Sequence, residues 1–196
     1  MDQAAYTAFL EAHKEGRKSA ATAALRTFIA SFASSEEKAA WVAGFLETHD
    51  PETRIRHEIY DALVLPVLAK GYHASDVWST KWLAMTVQNL YQAKHLWAQL
   101  DFVSGHALLR SWRALAPGCD EARTALLNSM IDLFRFSEHE WPEVILCGMD
   151  GATLEQCREI ADQLVEARSL DRGGIWTSFL DEFEEKLSAY QQRLRR

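Results

Sequence analysis

The sequence predicts an all-α protein, an irregular bundle of about nine helices that pack antiparallel as αα-hairpins. Apolar residues recur at helical spacing from one end of the chain to the other, and strand-like alternation is nearly absent. Only four proline and nine glycine residues interrupt the 196-residue chain, so long helices with short connections are expected. A helical-repeat solenoid is the second choice, because no repeated signature is found. The chain length predicts a single helical domain over residues 1–196.

Three helices are predicted before residue 50. The first surrounds Tyr6, Phe9 and Leu10 and ends near Gly16. The second carries an apolar stripe made of Ala21, Leu25, Phe28, Ile29 and Phe32. A capping-box spacing starts the third helix at Ser34, with a glutamate three residues later. This third helix is expected to bury Trp41, Val42, Phe45 and Leu46.

The fourth helix is predicted to be unusual. Asp50 and Pro51 read as its N-cap and first-turn proline, and the helix should continue to about Lys70. Its second half, Ala62 to Ala69, is apolar on all sides, which is typical of a helix buried all round. Pro66 lies inside this stretch and lacks the N–H for an intrahelical hydrogen bond, so a kink or an early end is expected there.

Further helices are predicted along the rest of the chain. The first of them begins between Asp76 and Ser79 and reaches Tyr91, and the second spans about Leu100 to Ala116. The third begins at Asp120, the fourth begins at a Thr153/Gln156 cap, and the fifth runs from Trp176 to Leu194. Between the third and fourth of these, Pro142 to Cys147 is predicted to be a short helix or turn closed by Gly148.

Composition excludes several classes of function. A net charge of −7 disfavours broad contact with nucleic acid or an anionic membrane, so neither is expected as a partner. Three cysteines without a CxxC pair suggest neither a disulfide framework nor a zinc knuckle. No secretory signal and no bilayer-length apolar run is visible, so a cytoplasmic location is expected.

Tryptophan is concentrated in the middle of the chain. Four of the seven indoles, those of Trp78, Trp82, Trp97 and Trp112, fall between residues 78 and 112. Such residues either fill an irregular core or form a binding surface. As candidate binding residues of this region we take Trp78, Trp82, Gln88, Asn89, Tyr91, His95 and Trp97. Asn89 lies on the aromatic side of its helix, where a buried amide must find hydrogen-bond partners, and it either braces a neighbouring loop or faces a ligand.

His57 and Asp61 form the other candidate constellation. They are four residues apart in a predicted helix, so their side chains can meet. A carboxylate that orients an imidazole is a recurring part of general-base and metal sites. Charged neighbours on the same face make an ordinary ion-pair network the alternative interpretation. No motif for a specific metal, cofactor or catalytic nucleophile accompanies the pair, so no cofactor and no metal are expected.

These patterns favour a non-catalytic protein-binding domain, an adaptor or an immunity-type inhibitor, that uses the tryptophan-rich central surface or an adjoining acidic groove. The first alternative is a small-molecule or metal-dependent hydrolase with a pocket near His57, Asp61 and Asn89. The second is a structural homodimer formed through the amphipathic C-terminal helix. A protein partner of unknown identity is therefore expected, and an enzyme is the less favoured class.

Overall fold

The computed structural model describes residues 1–50, 53–92 and 94–196, and it confirms the all-α fold class. The chain divides into two compact units, Met1–Leu115 and Ala116–Arg196. The prediction of one domain over residues 1–196 stays a prediction. Within the described residues, none of the helices combines the length and the apolar character needed to cross a bilayer.

Helices of unequal length build the first unit. They are α1 (Gln3–Lys14), α2 (Lys18–Ala30), α3 (Ser35–Glu47), α4 (His57–Ile59), a π-helical segment (Tyr60–Val64), α5 (Leu65–His73), α6 (Val77–Met85), α7 (Val87–Leu90), α8 (Lys94–Trp97), a 3₁₀ turn (Ala98–Leu100) and α9 (Gly105–Leu115). A continuous apolar core joins α1, α2, α3, the π segment, α5 and α6.

The first three helices follow their local signals. Asp2 caps α1 by accepting from the Ala5 N–H at 3.0 Å, and Ser34 caps α3 by accepting from the Glu37 N–H at 3.2 Å. The Glu37 carboxylate accepts from the Ala33 N–H at 2.7 Å. In a regular capping box it would accept instead from the N–H of the N-cap residue, Ser34. Leu10 is exposed and so does not join the core face of α1.

The fourth predicted helix begins later than expected. Pro51 lies outside the described residues, and the helix starts at His57 rather than next to Asp50. The reason is a long-range contact. The buried Asn89 side chain binds both backbone groups of Ile55, accepting from its N–H at 3.2 Å and donating to its carbonyl at 2.5 Å. Because those groups are used outside a helix, residues 54–56 stay non-helical.

The expected irregularity at Pro66 takes the form of a π-helical segment. The Leu65 N–H donates to the Tyr60 carbonyl five residues earlier, one residue beyond the normal helical reach. The proline then occupies the first turn of α5, where a missing N–H is tolerated. The helical chain therefore continues through Pro66 to His73 instead of ending there.

The helix predicted to reach Tyr91 is broken at Thr86. The Thr86 hydroxyl donates to the Trp82 carbonyl at 2.6 Å, a back-bond that competes with the regular ladder. The helix predicted from about Leu100 begins instead at Gly105, where the Ser104 hydroxyl accepts from the Ala107 N–H at 3.1 Å. Local capping at Ser104 sets that start.

Three long helices and a small hairpin build the second unit. They are α10 (Asp120–Ser137), β1 (Leu146–Cys147), β2 (Asp150–Gly151), α11 (Leu154–Leu170) and α12 (Thr177–Leu194). The predicted Thr153/Gln156 capping box of α11 is confirmed. The segment expected as a short helix or turn ends instead in β1, which pairs antiparallel with β2 through Leu146↔Gly151 and Cys147↔Asp150.

The core of the second unit lies between its long helices. Phe134 of α10 stacks on Phe183 of α12, with ring centroids 4.9 Å apart. The predicted stripe of α12 is buried within this unit at Leu180, Phe183, Leu187 and Tyr190. Arg168 of α11 joins the carboxylates of Asp181 and Glu184, each at 2.7 Å, along the solvent side of the same helix pair.

Candidate functional site

The tryptophans of the central region divide between core and half-buried positions. Trp82 and Trp112 are buried, and the Lys81 ammonium lies over both rings, at 5.8 and 5.5 Å from their centroids. Trp78 is half-buried and meets Trp82 edge-on, with centroids 6.4 Å apart. Two of the four indoles are therefore internal supports of the fold rather than parts of an open surface.

Tyr91 and Trp97 brace the connection into α9. Their rings meet at 4.9 Å, the Trp97 Nε1–H donates to the Val103 carbonyl at 2.8 Å, and the Tyr91 hydroxyl accepts from the Gly105 N–H at 2.9 Å. The connection needs this support because Asp101 and the next residue adopt left-handed φ angles of 50° and 53°. Both aromatic residues thus have hydrogen-bonding roles within the fold.

Asn89 and Gln88 have different surroundings. The oxygen and the nitrogen of the Asn89 amide both form hydrogen bonds with the backbone of Ile55. Asn89 therefore braces a neighbouring loop, the first of the two roles predicted for it, instead of facing a ligand. Gln88 is exposed. The structure therefore does not bring these two amides together into one polar pocket.

His57 and Asp61 do approach each other, and His95 joins them. The Asp61 carboxylate lies 3.9 Å from His57 Nε2 and 3.2 Å from His95 Nε2. The side chains of His57, Asp61 and His95 are 48%, 30% and 66% exposed, so solvent reaches all three. Such a cluster can hold or exchange a proton in water. No group of three or more side chains suited to binding a metal ion occurs among the described residues.

An apolar groove with a volume of ≈ 550 Å³ lies between α3 and the π–α5 segment; we name it the α3–α5 groove. One wall consists of Ser35, Lys38 and Ala39, all from α3. The other wall and the floor consist of Ala62, Leu63, Pro66, Val67, Lys70, Gly71 and Ala74. The volume lies within the range of ordinary ligand pockets.

The groove corrects the expectation that Ala62 to Ala69 is buried on every side. Leu63 and Leu68 are fully buried, whereas Pro66 is exposed and Val67 is half-buried. One apolar side of this stretch therefore faces the groove instead of protein. The apolar residues on all sides of this stretch are visible in the sequence, but the sequence does not indicate which side another helix leaves uncovered.

Two lysines give the groove its charge. Lys38 belongs to one wall and Lys70 to the other, and among the described residues neither ammonium is within ion-pair distance of a carboxylate. Lys70 has a Coulombic interaction with Glu36. The pKa of Glu36 is lowered first by a hydrogen bond from its own backbone N–H, then by the hydroxyls of Ser34 and Ser35, and only weakly by Lys70.

A close helix contact supports the floor of the groove from behind. At Gly71 a β-carbon would lie 2.0 Å from Ser79 Oγ and 2.6 Å from Ser79 Cβ, so only glycine allows α5 and α6 to approach this closely. Asp76 caps α6 at the same place, accepting from the Ser79 N–H at 2.8 Å. The tryptophan-bearing helix α6 therefore holds α5 in position.

Comparison of the chain with protein-family models, curated proteins and solved structures finds no significant match.

Proposed function

We propose that this chain is a non-catalytic helical domain that binds another protein through the α3–α5 groove. The observation that carries the proposal is an apolar groove of ≈ 550 Å³ bordered by two lysines that form no ion pair with any residue the structure describes. A contiguous apolar surface that the protein leaves open is typical of a binding site. A role as an adaptor or an immunity-type inhibitor is consistent with such a site.

The proposed binding surface differs from the tryptophan-rich surface expected from the sequence. Trp82 and Trp112 are buried, and Trp97 supports the loop before α9. Trp82 contributes indirectly, because its helix α6 packs behind α5 and supports the groove floor. A preformed site loses less conformational entropy on binding than a flexible one.

Site-directed photo-cross-linking in the cells that make the protein tests the proposal. A photoreactive benzoylphenylalanine replaces Val67 in the groove, and in a control it replaces Leu10, an exposed residue of α1. We expect the Val67 position to give one discrete adduct with another protein and the Leu10 position to give none. Equal adduct patterns from both positions, or no adduct from Val67, would contradict a groove-directed protein partner.

The hydrolase alternative is supported by one observation, the 3.2 Å contact of His95 with Asp61 in addition to the predicted His57. A carboxylate between two imidazoles is suited to general-base chemistry. A panel of ester and phosphoester substrates tests it. Asp61→Asn is the diagnostic variant, and Asp132→Asn, at an exposed carboxylate of α10, is the control. Hydrolysis that is lost only in Asp61→Asn would favour the enzyme, and no hydrolysis above the uncatalysed rate would reject it.

The homodimer alternative has less support. The apolar stripe of α12 that suggested it is buried within the second unit, with Leu180 and Phe183 at 1% and 0% exposure. Light scattering over a range of concentrations measures the oligomeric state directly.

A further inference from the structure

We infer that the occupant of the α3–α5 groove is an acidic amphipathic α-helix of the partner protein. Its apolar side would lie on the groove floor, and its carboxylates would pair with Lys38 and Lys70. This inference rests on the proposed binding function of the groove and specifies the chemistry of the partner.

The length of the groove fits a helix of about three turns. Ala62, Pro66, Lys70 and Ala74 succeed one another at four-residue intervals along the lining wall. At a rise of about 1.5 Å per residue, the twelve-residue separation corresponds to roughly 18 Å. A helix that lays its i, i+3/i+4 and i+7 side chains into such a groove is a recurring mode of peptide recognition.

Small side chains on both walls allow close approach. Ala39 on α3 and Ala62 on the opposite side project little into the groove. Helix backbones come closest where the side chains between them are small. The groove can therefore receive a third helix whose larger apolar side chains fill the space beside Pro66 and Val67.

Charge complementarity selects an acidic occupant. The chain as a whole carries a net charge of −7, yet the charged side chains that line this groove in the described part of the chain are two lysines. Their ammonium groups come from opposite walls, so an occupant would meet a cation on each side. A helix with carboxylates flanking its apolar side satisfies both, whereas a basic helix would be repelled by both.

The open side of the groove distinguishes a helix from a single-chain anionic amphiphile. An acyl chain in an open groove would keep part of its apolar surface in water, whereas an amphipathic helix turns its polar side to the solvent. A fatty carboxylate also carries one charged end, which can meet the lysine of only one wall at a time.

A selection experiment on the full-length protein tests the inference. The probe is a displayed library of 14-residue helical peptides whose apolar positions vary among Ala, Leu, Ile, Met and Phe. The positions that flank the apolar side vary among Glu, Gln and Lys. Selections use the wild-type chain, the double variant Lys38→Gln/Lys70→Gln, and the matched control Lys14→Gln/Lys18→Gln, whose lysines lie on α1 and α2 outside the groove.

We expect the wild type and the control to enrich helices with glutamate at the flanking positions, and the groove double variant to lose that preference. For a selected peptide, replacing the flanking glutamates by glutamine should weaken binding about fivefold to tenfold, the size expected for two exposed ion pairs. The same peptide should show no such difference on the Lys38→Gln/Lys70→Gln variant.

Other results would overturn the inference. Enrichment without a preference for glutamate would exclude an acidic occupant, and a failure to enrich any helix would exclude a helical one. Binding of dodecanoate at the groove with no helix selected would point to an amphiphile, and concentration-dependent self-association lost in Val67→Asp would point to a second copy of the chain. The photo-cross-link at Val67 reports separately on the proposed function, because it does not depend on the shape or the charge of the partner.

Discussion

The two units of this chain differ in the length and regularity of their helices. The second unit consists mainly of helices with 18, 17 and 18 residues, each with an apolar stripe turned inward. In the first unit, the α-helical segments described between residues 57 and 97 have at most nine residues. A π segment and a helix break at Thr86 interrupt them.

The distribution of buried polar side chains follows the same division. Ser79, Thr80, Thr86 and Asn89 are buried in the first unit, against Ser137 among the described residues of the second. Broken helices leave backbone groups without their usual partners, and buried polar side chains supply them. The first unit therefore depends on a few specific contacts, and the second on an extended apolar interface. The open groove and the carboxylate flanked by two histidines both belong to the irregular unit.

The largest expected effect is that of Gly71→Ala. The added β-carbon would collide with Ser79 Oγ and Cβ at 2.0 and 2.6 Å, so α5 and α6 would have to separate. We expect a loss of about 3 kcal/mol in the free energy of unfolding, measured in urea by the helical circular dichroism signal. Gly44→Ala on α3 is the control. No described atom lies within 4 Å of the added β-carbon there, so this change should stabilise the protein by about 1 kcal/mol. The same sign for both substitutions would refute the close contact.

Asn89→Ala tests whether one buried amide maintains the irregular start of α4. Its removal leaves the N–H and the carbonyl of Ile55 without partners, which should cost about 2 to 3 kcal/mol in the free energy of unfolding. Substitution of the exposed neighbour, Gln88→Ala, should change stability by less than about 0.5 kcal/mol. Similar small effects in both variants would mean that the first unit is less dependent on single contacts than proposed.

Burial of the Tyr60 phenol in the first unit should make the protein less stable at alkaline pH. Burial raises the pKa of Tyr60 to about 12, while the hydrogen bond with Thr86 acts in the opposite direction. An unfolded tyrosine has a pKa of about 10, so its stabilising contribution is complete below that pH and is lost as the pH rises toward 12. Between pH 9 and pH 11, the stability of the wild type relative to Tyr60→Phe should fall by about 1.4 kcal/mol. A pH-independent difference between the two proteins would show that this phenol ionises normally.

Thr153→Ala should have the smallest effect, because it removes one end contact from a long helix. The Thr153 hydroxyl accepts from the Gln156 N–H at 3.3 Å, and its loss should cost about 1 kcal/mol in the free energy of unfolding. Thr177→Ala, at the start of α12 where no side-chain cap is formed, serves as the comparison. A loss as large as that of Asn89→Ala would remove the distinction between the two units.

The sequence predicts the structure correctly where an element depends on neighbours within one turn. The caps at Ser34, Asp76 and Thr153 connect residues three positions apart, and their types and spacing are visible in the sequence. The stripe of α12 is equally local. These signals were sufficient for the fold class and for most helix positions in the second unit.

The first unit was harder to predict because its contacts connect distant residues. The start of α4 depends on the contact of Asn89 with Ile55, 34 positions earlier. The approach of His95 to Asp61 likewise requires two helices to come together, although the His57 contact at four-residue spacing was visible. The groove could not be predicted from the sequence, because the identity of an apolar side chain does not show whether another helix will cover it.

The π segment at Tyr60–Val64 also has a consequence for how this chain can vary in length. A π turn holds one residue more than an α turn, and each helical residue rotates the chain by about 100°. Deleting a single residue there would let the segment close as an ordinary α-helix and turn everything before it by that angle relative to α5. His57 would then point in a new direction while Lys70 and Val67 kept their places. One codon therefore separates two arrangements of the polar cluster, and the groove residues Ala62 and Leu63 would be displaced with it while α5 kept its structure.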